Sequence, residues 1–198
     1  MRAGEAAVTF ILETGRLALR EWRVEDAEAL YALMGDPEVM RYVDAGRPWE
    51  GVGRVREWIE KLNVSYRTRG FSRWAVVERG AGLVVGSCGF APLPWSGEID
   101  FGYMFRRDRW GRGYASEITP AVLRHGFERY SFAEVVASIA PENGASRRVL
   151  EKMGFLYRGK EVLPGEEEES EIYVAVNPSA AGGGAGAEAA AAARRDGV

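Results

Sequence analysis

The stretch EIDFGYMFRRDRWGRGYASE, residues 98–117, carries the clearest structural signal in the chain. Its first half places Ile99, Phe101, Tyr103 and Phe105 on alternate positions, which is the period of a β-strand. Four charged residues then end the alternation, and two glycines precede a stretch that is typical of a helix start. The segment therefore predicts a strand, a bare turn and a helix in direct succession.

The predicted turn between this strand and this helix is suited to bind an anion. Gly111 and Gly113 carry no side chain that would keep a phosphate from the backbone. Backbone N–H groups point outward at a helix N-terminus, where the helix dipole also favours negative charge. Taken alone, the pattern is more often just a tight turn. It lacks the Gly-Lys-Ser/Thr of nucleoside-triphosphate loops and the third glycine of the dinucleotide fingerprint.

Length and composition indicate one globular domain with at most a tail. The chain has 198 residues, of which 46% are hydrophobic and 28% charged, ordinary values for such a domain. The formal net charge of −3 argues against dependence on bulk positive charge, so we expect no nucleic-acid partner. No apolar run reaches the roughly 18 residues of a membrane helix, and no signal peptide is recognisable, so we expect no membrane partner.

The inventory of reactive side chains is short. Cys88 and His125 are the single cysteine and the single histidine. One cysteine forms no internal disulfide, so we expect a cytoplasmic protein. A zinc site built from several such side chains is excluded, and we expect no metal. Cys88 lies in an apolar run that is more typical of a core strand than of a nucleophile.

Periodicity and the lengths of the connections predict an α+β fold with a mixed, mostly antiparallel sheet. The helix between the strands at 98–105 and 133–139 makes these two strands parallel. The predicted strands are 16–22, 73–79, 83–90, 98–105, 133–139, 155–162 and 170–176. The predicted helices are 24–34, 51–69, 114–130 and one from the N-cap Asn143 to Gly154, and residues 37–49 are predicted to be a loop.

The sequence divides into three parts. Residues 1–13 form an N-terminal segment that we expect to fray, and residues 14–176 form the folded domain. Residues 177–198 are rich in alanine and glycine and have no sustained apolar face. We therefore expect a disordered tail.

Four motifs carry a resemblance to a known family: TGRLALREW (14–22), GDPEVMRYV (35–43), DRWGRGYASE (108–117) and PENGASRRVLEKMGF (141–155). With the element order, they resemble the GNAT superfamily of N-acetyltransferases, which use acetyl-coenzyme A (acetyl-CoA), over roughly residues 12–176. Within it the chain resembles the Rim type, which acetylates the N-termini of ribosomal proteins. The resemblance implies an α/β/α sandwich with a central parallel strand pair that splays apart, so that the exposed backbone of strand 98–105 binds the pantetheine arm as an added strand does.

The same resemblance implies the coenzyme-binding residues. The family's pyrophosphate motif, Gln/Arg-x-x-Gly-x-Gly/Ala, falls on residues 110–115, with Trp110 where the family has Gln or Arg. We therefore expect the backbone amides, rather than the Trp110 side chain, to hold the phosphates. The expected coenzyme-binding residues are Phe105, Arg106, Arg109, Trp110, Gly111, Arg112, Gly113, Tyr114, Ala115, Asn143, Ser146 and Arg147.

Acetyl transfer from a thioester to an amine requires a base. A lysine-type amine, with a pKa of about 10.4, is mostly protonated at neutral pH, and an ammonium is no nucleophile. Glu98 and Asp100 are the candidate bases, with a solvent-facing strand carboxylate as the alternative for each. Glu117 is a further candidate, for which an interaction with the helix dipole is the alternative.

The departing thiolate requires an acid. Ser146 and Tyr103 are the candidate catalytic acids. Ser146 lies three residues after Asn143, where a small polar residue also suits the first turn of a helix. Tyr103 is alternatively a core aromatic residue.

The acceptor amine is the least determined partner. The resemblance implies acetyl-CoA as co-substrate and a protein N-terminus as acceptor, with a small amine of the polyamine, aminoglycoside or amino-acid type as the alternative. The expected pocket walls are residues 37–49 and 163–171, where Tyr42, Trp49 and Glu166 suit a cationic amine. A homodimer is a further expectation from the family. A sensor that binds acyl-CoA without turnover is the alternative from another class.

Overall fold

The structure is a computed structural model that describes residues 9–180. Most of the expected frayed segment and most of the expected tail therefore lie outside the described residues. The strands are β1 (Leu12–Glu13), β2 (Leu17–Arg20), β3 (Arg73–Glu78), β4 (Leu83–Pro92), β5 (Ile99–Phe105), β6 (Glu134–Ile139), β7 (Leu156–Val162) and β8 (Glu169–Val176). The helices are α1 (Ala27–Met34), α2 (Pro37–Met40), α3 (Val52–Arg69), α4 (Tyr114–Tyr130) and α5 (Gly144–Lys152).

The eight strands form one mixed sheet in the order β1-β2-β3-β4-β5-β6-β8-β7. Neighbouring strands are antiparallel except β5 and β6, which are parallel because α4 crosses between them. These two strands pair only where Asp100 lies opposite Val136. The rest of β5 beyond this point diverges from β6, which confirms the predicted splayed pair.

Helices cover both faces of the sheet. In β4, all residues from Val84 to Phe90 are buried, and a strand buried at consecutive positions must be covered on both faces. α1 packs against α3, α4 packs against α5, and both α1 and α4 contact β4. The predicted α/β/α sandwich is confirmed.

Two elements differ from the sequence-based expectation. Residues 37–49, predicted as a loop, contain α2, which begins with Asp36 as N-cap: its carboxylate accepts from the Glu38 N–H at 2.9 Å, and Pro37 occupies the first helical turn. In the N-terminal segment, β1 pairs with β2 at the sheet edge. Both elements are too short for a periodic pattern to reveal.

α4 connects the splayed strands and carries the glycine turn at its start. It continues through Pro120, although proline leaves one helical carbonyl without its donor. Gly126 lies so close to β4 that a Cβ there would overlap the Phe90 ring. Among the described residues, no helix is long and apolar enough to cross a membrane.

Candidate active site

A cleft of about 530 Å³ opens where β5 diverges from β6. Its walls come from four segments: residues 38–43 around α2, 103–105 at the end of β5, 109–116 around the start of α4, and 143–149 at the start of α5. The splay thus leaves one edge of β5 facing a cavity between two helix N-termini.

The glycine turn forms one end of this cleft. Gly111 and Gly113 have φ angles of 73° and 74°, in the left-handed region that favours glycine. α4 begins directly afterwards at Tyr114. A Cβ at Gly111 would meet no atom within 4 Å. Glycine is therefore required here by the backbone conformation and not by a lack of space.

Nine of the twelve expected coenzyme-binding residues line the cleft: Phe105, Arg109, Trp110, Gly111, Gly113, Tyr114, Ala115, Asn143 and Ser146. The other three lie elsewhere. Arg106 is paired with Asp108, and Arg147 is bound to Glu171 and to the Pro141 carbonyl. Arg112 contributes its carbonyl, which accepts from Arg16 at 2.9 Å.

Trp110 and Arg109 occupy the mouth of the cleft in different ways. The Trp110 indole is half-exposed, and its N–H donates to the Phe105 carbonyl at 2.8 Å, so it is not free for a phosphate. Arg109 is mostly buried and paired with Asp108 and Glu78. Its Nε is buried without a hydrogen-bond partner among the described residues, which leaves one donor of the guanidinium unused.

The two candidate acids lie together at the other end. The Asn143 carboxamide caps α5 by accepting from the Ser146 N–H at 3.1 Å, as the sequence predicted, and Ser146 lines the cleft. The Tyr103 hydroxyl is buried and has no hydrogen-bond partner in the described structure. Burial raises the pKa of Tyr103 to about 12, an effect that the neighbouring Ser146 hydroxyl opposes.

The two candidate bases do not line the cleft, and each is held by an arginine. Glu98 pairs with Arg158, whose hydrogen bond lowers the pKa of the Glu98 carboxyl. Asp100 pairs with Arg73, and burial raises its pKa while the guanidinium opposes the rise. Arg73 reaches Asp100 by lying across Gly102, where a Cβ would overlap its guanidinium.

A second cavity of about 600 Å³ adjoins the cleft, and Arg41 and Tyr42 line both. Its other walls come from residues 44–47, 138–142 and 165–170. Tyr42 and Glu166, two of the expected acceptor-binding residues, therefore lie at cavity walls. Trp49 lines neither cavity, because its indole is buried and donates to Asp44 at 2.8 Å.

The sequence predicted residues 37–49 as a loop at the wall of the acceptor pocket, but not the helix α2, which brings Glu38 and Val39 to the cleft. Met104, Ser116 and Val149, which line the cleft from neighbouring elements, were not expected there. The signal for α2 was present in Asp36-Pro37, an N-cap followed by proline at the first helical position. Met104, Ser116 and Val149 give no such signal, because only the fold brings them to the cleft.

Comparison with known proteins agrees with this geometry. The sequence profile described as "Acetyltransferase (GNAT) domain" matches residues 16–156. The chain is 31% identical over 149 residues to the uncharacterized N-acetyltransferase p20 of Bacillus licheniformis, covering 75% of this chain and 83% of that protein. A GNAT-family acetyltransferase structure from Bacillus anthracis superposes with a TM-score of 0.71 at 26% identity, over 85% of this chain and 99% of that chain.

A further structure is similar in fold. The ribosomal L7/L12 alpha-N-protein acetyltransferase RimL, solved in complex with coenzyme A, has a TM-score of 0.72 at 19% identity, over 85% of this chain and 98% of that chain. The chain belongs to the GNAT acetyltransferase family. It is an N-acetyltransferase, and the predicted family resemblance is confirmed.

Proposed function

We propose that the cleft binds acetyl-CoA along β5 and that the acetyl group passes to a primary amine entering from the second cavity. The carrying observation is the open edge of β5, which runs from the glycine turn to Tyr103 and Ser146. A pantetheine arm is an extended chain with two amide groups, so it can pair with an open strand edge. The backbone amides of residues 111–115 would hold the pyrophosphate at the helix start.

The residues at the inner end of the cleft support direct transfer. The amine nitrogen attacks the thioester carbonyl, a C–N bond forms, the C–S bond breaks, and the amine loses a proton to a base. The departing thiolate takes a proton from Tyr103 or Ser146, which both line the cleft. A tyrosine pKa of about 12 keeps the phenol protonated at neutral pH, which a proton donor requires.

Asp100 is the better of the two candidate bases. It lies where β5 and β6 part, at the inner limit of the splay, from which it would act through a water molecule. A base gains strength when its pKa rises towards the working pH. The pKa of Asp100 is raised, whereas that of Glu98 is lowered by Arg158.

The acceptor that we propose is the α-amine of a protein N-terminus. The second cavity adjoins the cleft at Tyr42, and its volume of about 600 Å³ suits the first residues of a peptide. Glu142 and residues 166–169 give it several carboxylates, which favour a cationic chain end. RimL is named as an acetyltransferase for a protein α-amine. A small polyamine is the second candidate, because the same carboxylates would also attract it.

The test is release of coenzyme A thiol from acetyl-CoA with matched acceptors. The panel contains one lysine-containing peptide with a free N-terminus, the same peptide with its N-terminus acetylated, and spermidine. The proposal predicts thiol release with the first peptide and none above background with the second. Release with spermidine alone would support the small-amine alternative, and coenzyme binding without release in a broad amine panel would support a sensor.

A further inference from the structure

Arg16, which lies between β1 and β2, ties the glycine turn to that edge of the sheet. Its Nη1 donates to the Arg112 carbonyl at 2.9 Å, and its Nε donates to Glu117 at 2.6 Å. Glu117 also accepts from the Arg16 backbone N–H at 2.8 Å and from the Thr14 hydroxyl at 2.7 Å. Residues 14–16 and the first turn of α4 thus form one network, which we call the Arg16–Glu117 brace.

The brace also holds the side chain that follows the turn. The Arg16 guanidinium lies 4.7 Å from the centre of the Tyr114 ring, in cation–π geometry. The Tyr114 hydroxyl donates to Glu78 at the end of β3. Residues 112 and 114, on either side of Gly113, are therefore both fixed to the β2–β3 side of the sheet.

Fixing the Arg112 carbonyl also fixes the Gly113 N–H. Both groups belong to one planar trans peptide, in which C=O and N–H point in opposite directions. The carbonyl points to Arg16, so the N–H points away from it, and Gly113 lines the cleft. Without the brace, the glycines at 111 and 113 would let this peptide rotate, because glycine occupies both signs of φ at little cost.

We propose that Arg16 and Glu117 are positioning residues for the coenzyme pyrophosphate. The brace holds the 112–113 peptide with its N–H towards the cleft and its carbonyl oxygen, which would repel a phosphate, away from it. This inference rests on the proposed function of the cleft. Glu117 then favours coenzyme binding through its contacts with Arg16, although its negative charge alone would repel the pyrophosphate.

The charge of Glu117 and its positioning role predict opposite changes in acetyl-CoA binding when Glu117 is replaced. If only charge mattered, Glu117→Ala would remove a carboxylate near the pyrophosphate and tighten acetyl-CoA binding. A positioning role predicts weaker binding, because Arg16 loses its anchor. Both Arg16→Ala and Glu117→Ala are expected to raise the KM for acetyl-CoA about tenfold, the scale of one lost charge-assisted hydrogen bond.

The control ligand and the control variant separate positioning from general damage. S-Acetylpantetheine carries the same thioester arm without the pyrophosphate, so its kcat/KM should stay within about twofold in both variants. Glu13 and Arg79 form a comparable exposed ion pair on the same sheet edge. Arg79 also donates to the Thr14 carbonyl at 2.7 Å, so Glu13 is the member of the pair that lies outside the brace. Glu13→Ala should leave the KM for acetyl-CoA unchanged.

Each outcome decides one question. An unchanged or lower KM for acetyl-CoA in Glu117→Ala overturns the inference, as does an equal loss of activity with both thioesters. If Arg16→Ala proves unstable in a melting experiment, Arg16→Lys keeps the charge but cannot reach both partners, and it should still raise the KM for acetyl-CoA. A wild-type protein that does not bind acetyl-CoA overturns the proposed function itself.

Discussion

At the scale of single residues, a substitution of Tyr103 is expected to change activity without changing stability. The Tyr103 hydroxyl is buried in the cleft, makes no well-formed hydrogen bond in the described structure and has the Ser146 hydroxyl as its neighbour, so Tyr103→Phe removes at most one weak contact from the free protein. We predict that this variant keeps the wild-type melting temperature and loses about 10²-fold in kcat, the usual effect of removing a positioned acid. Thermal melting and thiol-release kinetics measure the two quantities. A variant with full kcat would leave Ser146 as the donor.

The two candidate bases give a matched comparison. We predict that Asp100→Asn lowers kcat about 10²-fold, while Glu98→Gln stays within about threefold of wild type. The raised pKa of Asp100 places the acid limb of the kcat/KM profile above the ordinary aspartate pKa of about 3.9. That limb should vanish in Asp100→Asn. A larger loss of kcat in Glu98→Gln than in Asp100→Asn would identify Glu98 as the base.

At the scale of single residues, local sequence patterns predict backbone conformation better than they predict the partners of side chains. The glycines of the turn and the Asn143 cap follow from local patterns, and the structure has them as predicted. Arg147 and Trp49 were assigned to ligands, but each is held by a carboxylate, Glu171 and Asp44 respectively. Glu171 lies 24 residues from Arg147, and local sequence patterns carry no information about such pairs.

At the scale of elements, the packing of α4 on the sheet depends on Gly126. A Cβ there would overlap the Phe90 ring, so Gly126→Ala should destabilise the fold by about 1–3 kcal/mol through overpacking. This loss should exceed the gain of up to about 1 kcal/mol from better helix propensity. Gly53→Ala is the control, because a Cβ at Gly53, in the first turn of α3, would meet no atom within 4 Å. Chemical denaturation of both variants measures the difference, and equal stabilities would contradict the close contact.

The sequence predicted the long elements and missed the short ones for a physical reason. A helix such as α3 spans several turns, so its buried face repeats often enough to be recognised. α2 has four residues, fewer than two turns, and Gly35 in front of it resembled the end of the preceding helix. Residues 37–49 were therefore expected as a loop at the wall of the acceptor pocket, and the helix that brings Glu38 and Val39 to the cleft was not predicted.

At the scale of the whole molecule, ion pairs link stability to pH. The pKa of Glu98 is lowered by Arg158, and that of Glu117 is lowered by hydrogen bonds from Thr14 and Arg16, which outweigh burial. A carboxylate whose pKa is lower in the folded state stabilises above the ordinary glutamate pKa of 4.5, and the stabilisation disappears as pH falls through the lowered pKa. The raised pKa of Asp100 acts in the opposite direction.

The net expectation is a melting temperature that falls below about pH 4.5. The difference in melting temperature between wild type and Glu117→Ala should narrow as the pH falls further, because protonation removes the same ion pair that the substitution removes. Melting curves between pH 3 and pH 8 measure this. A constant difference across the range would show that Glu117 contributes through packing rather than charge.

Calorimetric titration of the wild-type protein with acetyl-CoA measures whether the cleft along β5 binds this coenzyme. ATP, which carries phosphates without a pantetheine arm, is the control ligand. We predict saturable binding of acetyl-CoA at one site and much weaker binding of ATP. At a concentration 100 times its dissociation constant, acetyl-CoA should stabilise the fold by about 2.7 kcal/mol. No heat of binding and no stabilisation by acetyl-CoA would mean that the cleft is not a coenzyme site.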